Sequence, residues 1–158
     1  MAKVALGVAA ALTAACGVLH KDVEIAQEFV AGGGPPTATA SIAASSITAP
    51  LAASAGELSK LSSVTLQSAR LSSTDGGDLS YVGGATIKLS GNGLPEVTLA
   101  QLAAPPGAKA EAALSLDSAR DLKPYLAAGG LLAAEVTYAV RPVSARGLKL
   151  TLVVRASL

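Results

Sequence analysis

At 158 residues the chain has room for one domain and hardly for two. Half of it is apolar (51%), which excludes wholesale disorder, yet that half is mostly Ala, Val and Leu, with one Phe, three Tyr and no Trp. The charges nearly cancel, 12 Lys+Arg against 11 Asp+Glu, and with so few aromatic rings to stack on bases this argues against nucleic-acid binding. A single cysteine excludes an internal disulfide.

The chain opens on Met1-Ala2-Lys3, with one positive charge, followed by the uncharged run VALGVAAALTAA from Val4 to Ala15. As a helix that run would span roughly 18 Å, too short for a bilayer core of about 30 Å. A basic start, an apolar stretch and small residues at its end describe a secretory signal segment. Ala14-Ala15-Cys16 adds a cysteine directly after the small residues. Residues 12–16 resemble the lipobox of bacterial lipoproteins, usually Leu, two small residues and Cys. Here Thr13 stands where Leu is usual, and Leu12 lies one position early.

The resemblance implies cleavage after Ala15 and acylation, palmitate included, at Cys16, which is the one site residue it assigns. Two or more acyl chains anchor stably. Removing residues 1–15 takes away Lys3 and leaves 11 basic against 11 acidic side chains, so the lipid and not surface charge would hold the membrane. Gly17, where Asp is absent, implies outer-membrane sorting. The alternatives are a cytosolic protein with Cys16 in its core, or a catalytic thiol. The thiol would need a base, and His20 is the only histidine in the sequence.

Residues 16–20 read as a tether and 21–158 as one domain. Lys21–Val30 (KDVEIAQEFV) alternates, with Val23, Ile25, Gln27 and Phe29 on one face, and predicts a half-buried strand. Three glycines and two prolines in Ala31–Pro36 end it. A low-complexity connection rich in Ala, Ser and Thr is expected at about 31–57, with a short helix over Leu51–Ser62. Val64–Leu71 alternates and then slips in phase near Ala69, which predicts a bulge there.

Thr74–Asp78, with Gly76-Gly77, suits a tight hairpin. Leu79–Leu89 and Pro95–Leu102 read as strands around a turn at Ser90–Gly93, and Ala110–Leu116 alternates again. Asp121–Leu126, with Pro124 in its first turn, suits one turn of helix. Ala134–Val140 and Leu148–Ala156 close the chain as strands. Strands at this spacing, with no helix-length patterns between them, predict an all-β antiparallel sandwich, immunoglobulin-like in general architecture, behind an N-terminal signal segment.

The sequence shows no catalytic constellation. Zinc needs several Cys or His ligands, and the chain has one of each. A Ser-His-Asp triad would have to use His20. Asp75 and Asp78 flank two glycines and could share a calcium ion; without an EF-hand pattern a solvated turn is the plainer reading. Asp75, Asp78, Asp117 and Asp121 are the candidates for a carboxylate pair of the glycosidase kind. Tyr81, Tyr125 and Tyr138 could line a binding surface, although tyrosines more often pack at a core margin.

The expectation is a lipid-anchored envelope protein with a non-catalytic sandwich in a binding or structural role, probing an envelope partner through an open sheet edge. No cofactor or metal is assigned. The alternatives are a periplasmic enzyme or calcium-dependent carbohydrate module on the same tether, and a cytosolic β-domain.

Overall fold

The computed structural model describes residues 11–15, 18–32, 36–117 and 120–158. In chain order the elements are β1 (Ala11–Ala15), β2 (Val18–Ala31), β3 (Thr37–Ala43), α1 (Ala44–Ala55), a single 3-10 turn (Leu58–Lys60), β4 (Ser63–Ser73) and β5 (Val82–Gly91). Then come β6 (Leu94–Gln101), β7 (Glu111–Ala113), β8 (Ser115–Leu116), α2 (Lys123–Ala127), β9 (Leu131–Tyr138) and β10 (Arg146–Ser157). They form two five-stranded sheets, β1-β2-β10-β4-β7 and β3-β9-β5-β6-β8, and every pairing is antiparallel. The fold is the all-β sandwich that the alternation predicts.

The last strand shows why. In β10, Leu148, Leu150, Leu152, Val154 and Ala156 are all buried, while Lys149, Thr151, Val153 and Arg155 face outward. A two-residue period in β conformation places each set on its own face. β10 lies between β2 and β4, and its inner row meets Val23, Ile25, Val64, Leu66, Ala69 and Leu71. Across the core the second sheet contributes Ala38, Ala40, Ile42, Ala85, Ile87, Leu89, Leu132, Ala134 and Val136. Among the described residues every buried side chain is apolar, apart from the hydroxyls of Tyr81 and Tyr125.

Several local expectations need correction. The region read as a low-complexity connection holds β3 and α1. In β3, Ala38, Ala40 and Ile42 are buried against exposed Thr39 and Ser41, but alanine gives alternation too little hydrophobic contrast to read. The helix expected at Leu51–Ser62 runs over Ala44–Ala55 instead and buries Ile47, Pro50 and Leu51. Its C-terminal end is followed by Gly56 at φ 94°, a left-handed angle that glycine adopts without strain.

The bulge expected near Ala69 is present and lies at Gln67. Val154 pairs with Leu66 and Val153 with Ser68, so Gln67 is the extra residue. The slip returns Ala69 and Leu71 to the inner face, 2% and 1% exposed.

Thr74–Asp78 is no hairpin either. β4 and β5 belong to different sheets, so this loop crosses between them, as do the links from β9 to β10 and from β2 to β3. The run Ala110–Leu116 also divides. β7 joins the first sheet and β8 the second, with the buried Leu114 between them. The strand expected to start at Lys21 starts at Val18, and it takes in residues assigned to the tether.

The sandwich has two unlike ends. At one end α1, α2, Val18 and Ser157 come together; Ala44 N–H donates to Gly130 O at 2.8 Å, and Leu122 N–H to Val64 O at 2.6 Å. At the other end lie the crossovers 74–81 and 139–145 and the start of β10, where Arg146 is registered with Ala31. A strand the length of β10 spans roughly 40 Å, which separates the two ends.

Candidate functional site

Polar side chains converge at the crossover end. Asp75 sits in a turn shaped by its own carboxylate: Oδ1 accepts from Gly77 N–H at 3.0 Å and from Ser73 Oγ at 2.6 Å. Gly76 holds φ 77° in that turn. Arg146, the first residue of β10, donates from Nε to Asp75 Oδ2 at 2.7 Å and from Nη2 to Asp78 O at 3.3 Å. Its guanidinium lies 4.9 Å from the centroid of the Tyr81 ring, a cation–π distance. Tyr81 packs in turn on Tyr138, with centroids 6.4 Å apart and planes tilted by 49°. Tyr138 Oη accepts from Gly32 N–H at 2.8 Å, and Ala139 N–H donates to Tyr81 O at 2.8 Å. One cluster thereby ties three crossovers together.

The electrostatics follow from these contacts. The Arg146 hydrogen bond, helped by Ser73 and Gly77, holds the Asp75 carboxyl well below its usual range. Asp75 raises Arg146 in return. Ser80 lowers Asp78, whose Oδ1 accepts from Ser80 Oγ at 2.6 Å and Ser80 N–H at 3.0 Å. Burial pushes the Tyr81 hydroxyl up to about 12. That hydroxyl is buried and has no hydrogen-bond partner among the described residues.

Chemically the cluster is a clasp. An Asp75 held ionised is a poor proton donor near neutral pH. Both of its oxygens are engaged by protein donors, which leaves them poorly placed for a cation. Beside the clasp is an open cavity of about 440 Å³ lined by Tyr81, Ser80, Ser144, Arg146 and the 140–143 loop. Val140 and Val143 on that loop are 70% and 105% exposed.

The remaining candidates lie elsewhere. Asp121 is next to the start of β4, where its Oδ1 accepts from Val64 N–H at 2.9 Å and Lys123 N–H at 3.0 Å. Asp75 and Asp78 follow the far end of β4, so that strand separates them from Asp121. Asp117 follows β8 in the other sheet and donates its N–H to Leu99 O at 2.9 Å. The four carboxylates therefore do not line one cleft. Among the described residues no three His, Cys, Asp or Glu gather as metal ligands.

Tyr125 is buried, and its hydroxyl donates to Pro95 O at 2.9 Å. Packing and backbone hydrogen bonding account for it and for Tyr138. His20, read as part of a tether outside the folded body, is in β2 opposite Ser157, and Nδ1 and Ser157 Oγ share a 3.0 Å hydrogen bond. The neighbouring Asp22 spends both oxygens on Arg155, at 2.7 and 2.8 Å, and does not orient the imidazole. Cys16 lies outside the described residues.

Sequence reasoning missed the part played by Arg146. Its partners are 71 and 68 residues away, and no local pattern announces such a pairing. No protein-family model matches the chain, and no curated protein matches it either.

Proposed function

We propose that this protein is a lipid-anchored component of the bacterial cell envelope, held through acyl chains on Cys16, and that its sandwich serves a binding or structural role without catalysis. The observation that carries the reading is the sequence Leu12-Thr13-Ala14-Ala15-Cys16, closing an uncharged run behind a single Lys3. Outer-membrane placement follows from Gly17 in the same reading.

The geometry is compatible with such an anchor. β2 begins at Val18, two residues after Cys16, at the helical end of the sandwich. The clasp and the exposed Val140 and Val143 are at the opposite end, roughly 40 Å away along β10. A membrane at Cys16 would leave that end facing outward. Among the described residues no helix is long and apolar enough to cross a membrane, so in this reading the lipid alone supplies attachment.

The test is fractionation of cells that express the wild type and Cys16→Ser. The reading predicts wild type in the membrane fraction, extracted by detergent and not by high salt, and Cys16→Ser released as soluble protein. Equal partitioning of the two would overturn it.

A further inference from the structure

From the strand order we infer that β2 is a docking edge for an extended, basic segment of a partner protein, and that processing at Cys16 opens it. The inference rests on the anchor reading above and names the kind of partner. β2 runs over Val18–Ala31, and β10 pairs with it from His20 to Ala31. On its other side β1 pairs only with Val18–Asp22. Among the described residues nothing pairs with Val23–Ala31 on that side. A strand edge of this length presents a row of unpaired backbone N–H and C=O groups.

β1 shows that the edge accepts an antiparallel strand, with Ala11 registered to Asp22 and Ala15 to Val18. Cleavage after Ala15 removes all of β1. β2 keeps its other partner after the loss, because β10 pairs with it from His20 to Ala31. The mature protein would then leave β2 without a strand partner on that side, with α1 and β3 beside it.

The side chains set what can pair there. Glu24 and Glu28 stand on the outward face of β2; Lys149 of β10 is registered opposite Glu28, yet neither carboxylate is in an ion pair among the described residues. Asp22 on the same face is neutralised by Arg155. Pairing of β2 with a second β2 would bring these carboxylates together, which is unfavourable. An incoming strand with Lys or Arg at alternate positions would meet Glu24 and Glu28 with opposite charge. Its apolar residues would fall on the face of Val23, Ile25 and the half-buried Phe29. Two other stretches are open among the described residues: β3, the outer strand of the second sheet, whose TATASIA offers no carboxylate to a basic strand, and part of β6, guarded by Pro95, which cannot donate to a ladder.

The experiment uses the chain from residue 16 onward with Cys16→Ser and two peptides long enough to pair with Val23–Ala31, one alternating valine with lysine and one alternating valine with glutamate. Calorimetry should show the Val-Lys peptide binding roughly tenfold tighter, since two cross-strand pairs change from opposite to like charge. The double variant Glu24→Lys with Glu28→Lys should reverse the preference, and both positions are on the surface, so folding is spared. Amide exchange should slow in β2 on binding. Absence of binding, equal binding of the two peptides, or protection in β3 or β6 in place of β2 would overturn the proposal. The intact mass of the membrane-extracted protein separates the two failures. A cleaved, acylated protein whose folded domain ignores the peptide defeats the docking edge alone. An uncleaved protein keeps β1 in place and defeats the anchor reading, and the opened edge with it.

Discussion

Arg146 donates from Nε to Oδ2 of Asp75 at 2.7 Å, and so joins the first residue of β10 to the crossover that leaves β4 for the second sheet. The pair closes the end of the sandwich away from Val18. Asp75 has its carboxyl lowered from an ordinary 3.8, chiefly by this hydrogen bond. A group whose folded value is depressed adds stability above its unfolded value, and that stability is lost as pH falls through the folded one. Acid titration of unfolding should therefore show wild type losing stability below about pH 3.8, toward the folded value of Asp75. Asp75→Asn should start from a lower stability and lose less over that window. Asp22 and Asp78 are lowered too, so part of the slope remains.

Tyr81 makes the opposite case. Its hydroxyl is buried without a partner among the described residues, and burial raises it to about 12. A raised value in the fold means that the neutral form is favoured there, so its contribution is complete below the unfolded value near 10 and is lost as pH climbs toward 12. Ultraviolet titration should show a tyrosine step near 12, and Tyr81→Phe should remove it. Because no hydrogen bond is lost, Tyr81→Phe should leave stability unchanged or raise it. Tyr138→Phe, which leaves Gly32 N–H without its acceptor, should cost about 1 kcal/mol.

Asp121 holds the other end. It accepts the Val64 and Lys123 N–H groups and so fixes the start of β4 to α2. Asp121→Ala leaves both donors without that acceptor. Denaturant unfolding should show a loss of about 1–3 kcal/mol, with Asp121→Asn milder because an amide oxygen still accepts.

The fold was legible where large apolar residues mark one face. Leu148, Leu150, Leu152 and Val154 announce β10, and Val23, Ile25 and Phe29 announce β2. It was not legible where alanine and serine carry the pattern, as in β3 and α1, because their hydropathies differ too little to reveal a period. Nor could local turn chemistry reveal crossovers. Gly76-Gly77 suits a hairpin, yet β5 pairs with β6 and β9, and that choice is made by the packing of the whole second sheet. Of the polar cluster, Asp75, Asp78, Tyr81 and Tyr138 stood out as residue types. Their partner Arg146 did not, since only tertiary structure brings it near.

The bulge in β4 allows a sharper test of register. Deleting Gln67 restores strict alternation and keeps Val64, Leu66, Ala69 and Leu71 on the inner face. Deleting Thr65 instead turns Val64 outward and costs about 2 kcal/mol of buried side chain. Thermal unfolding should place the Gln67 deletion near wild type and the Thr65 deletion well below it. Equal losses would mean that the bulge itself, and not the inward set, holds β4 in place.

The central claim is the anchor at Cys16, and the intact mass of the protein extracted from membranes tests it most directly. The account predicts loss of residues 1–15 and an added mass of acyl chains in wild type, with neither change in Cys16→Ser. A full-length, unacylated wild-type protein would contradict it.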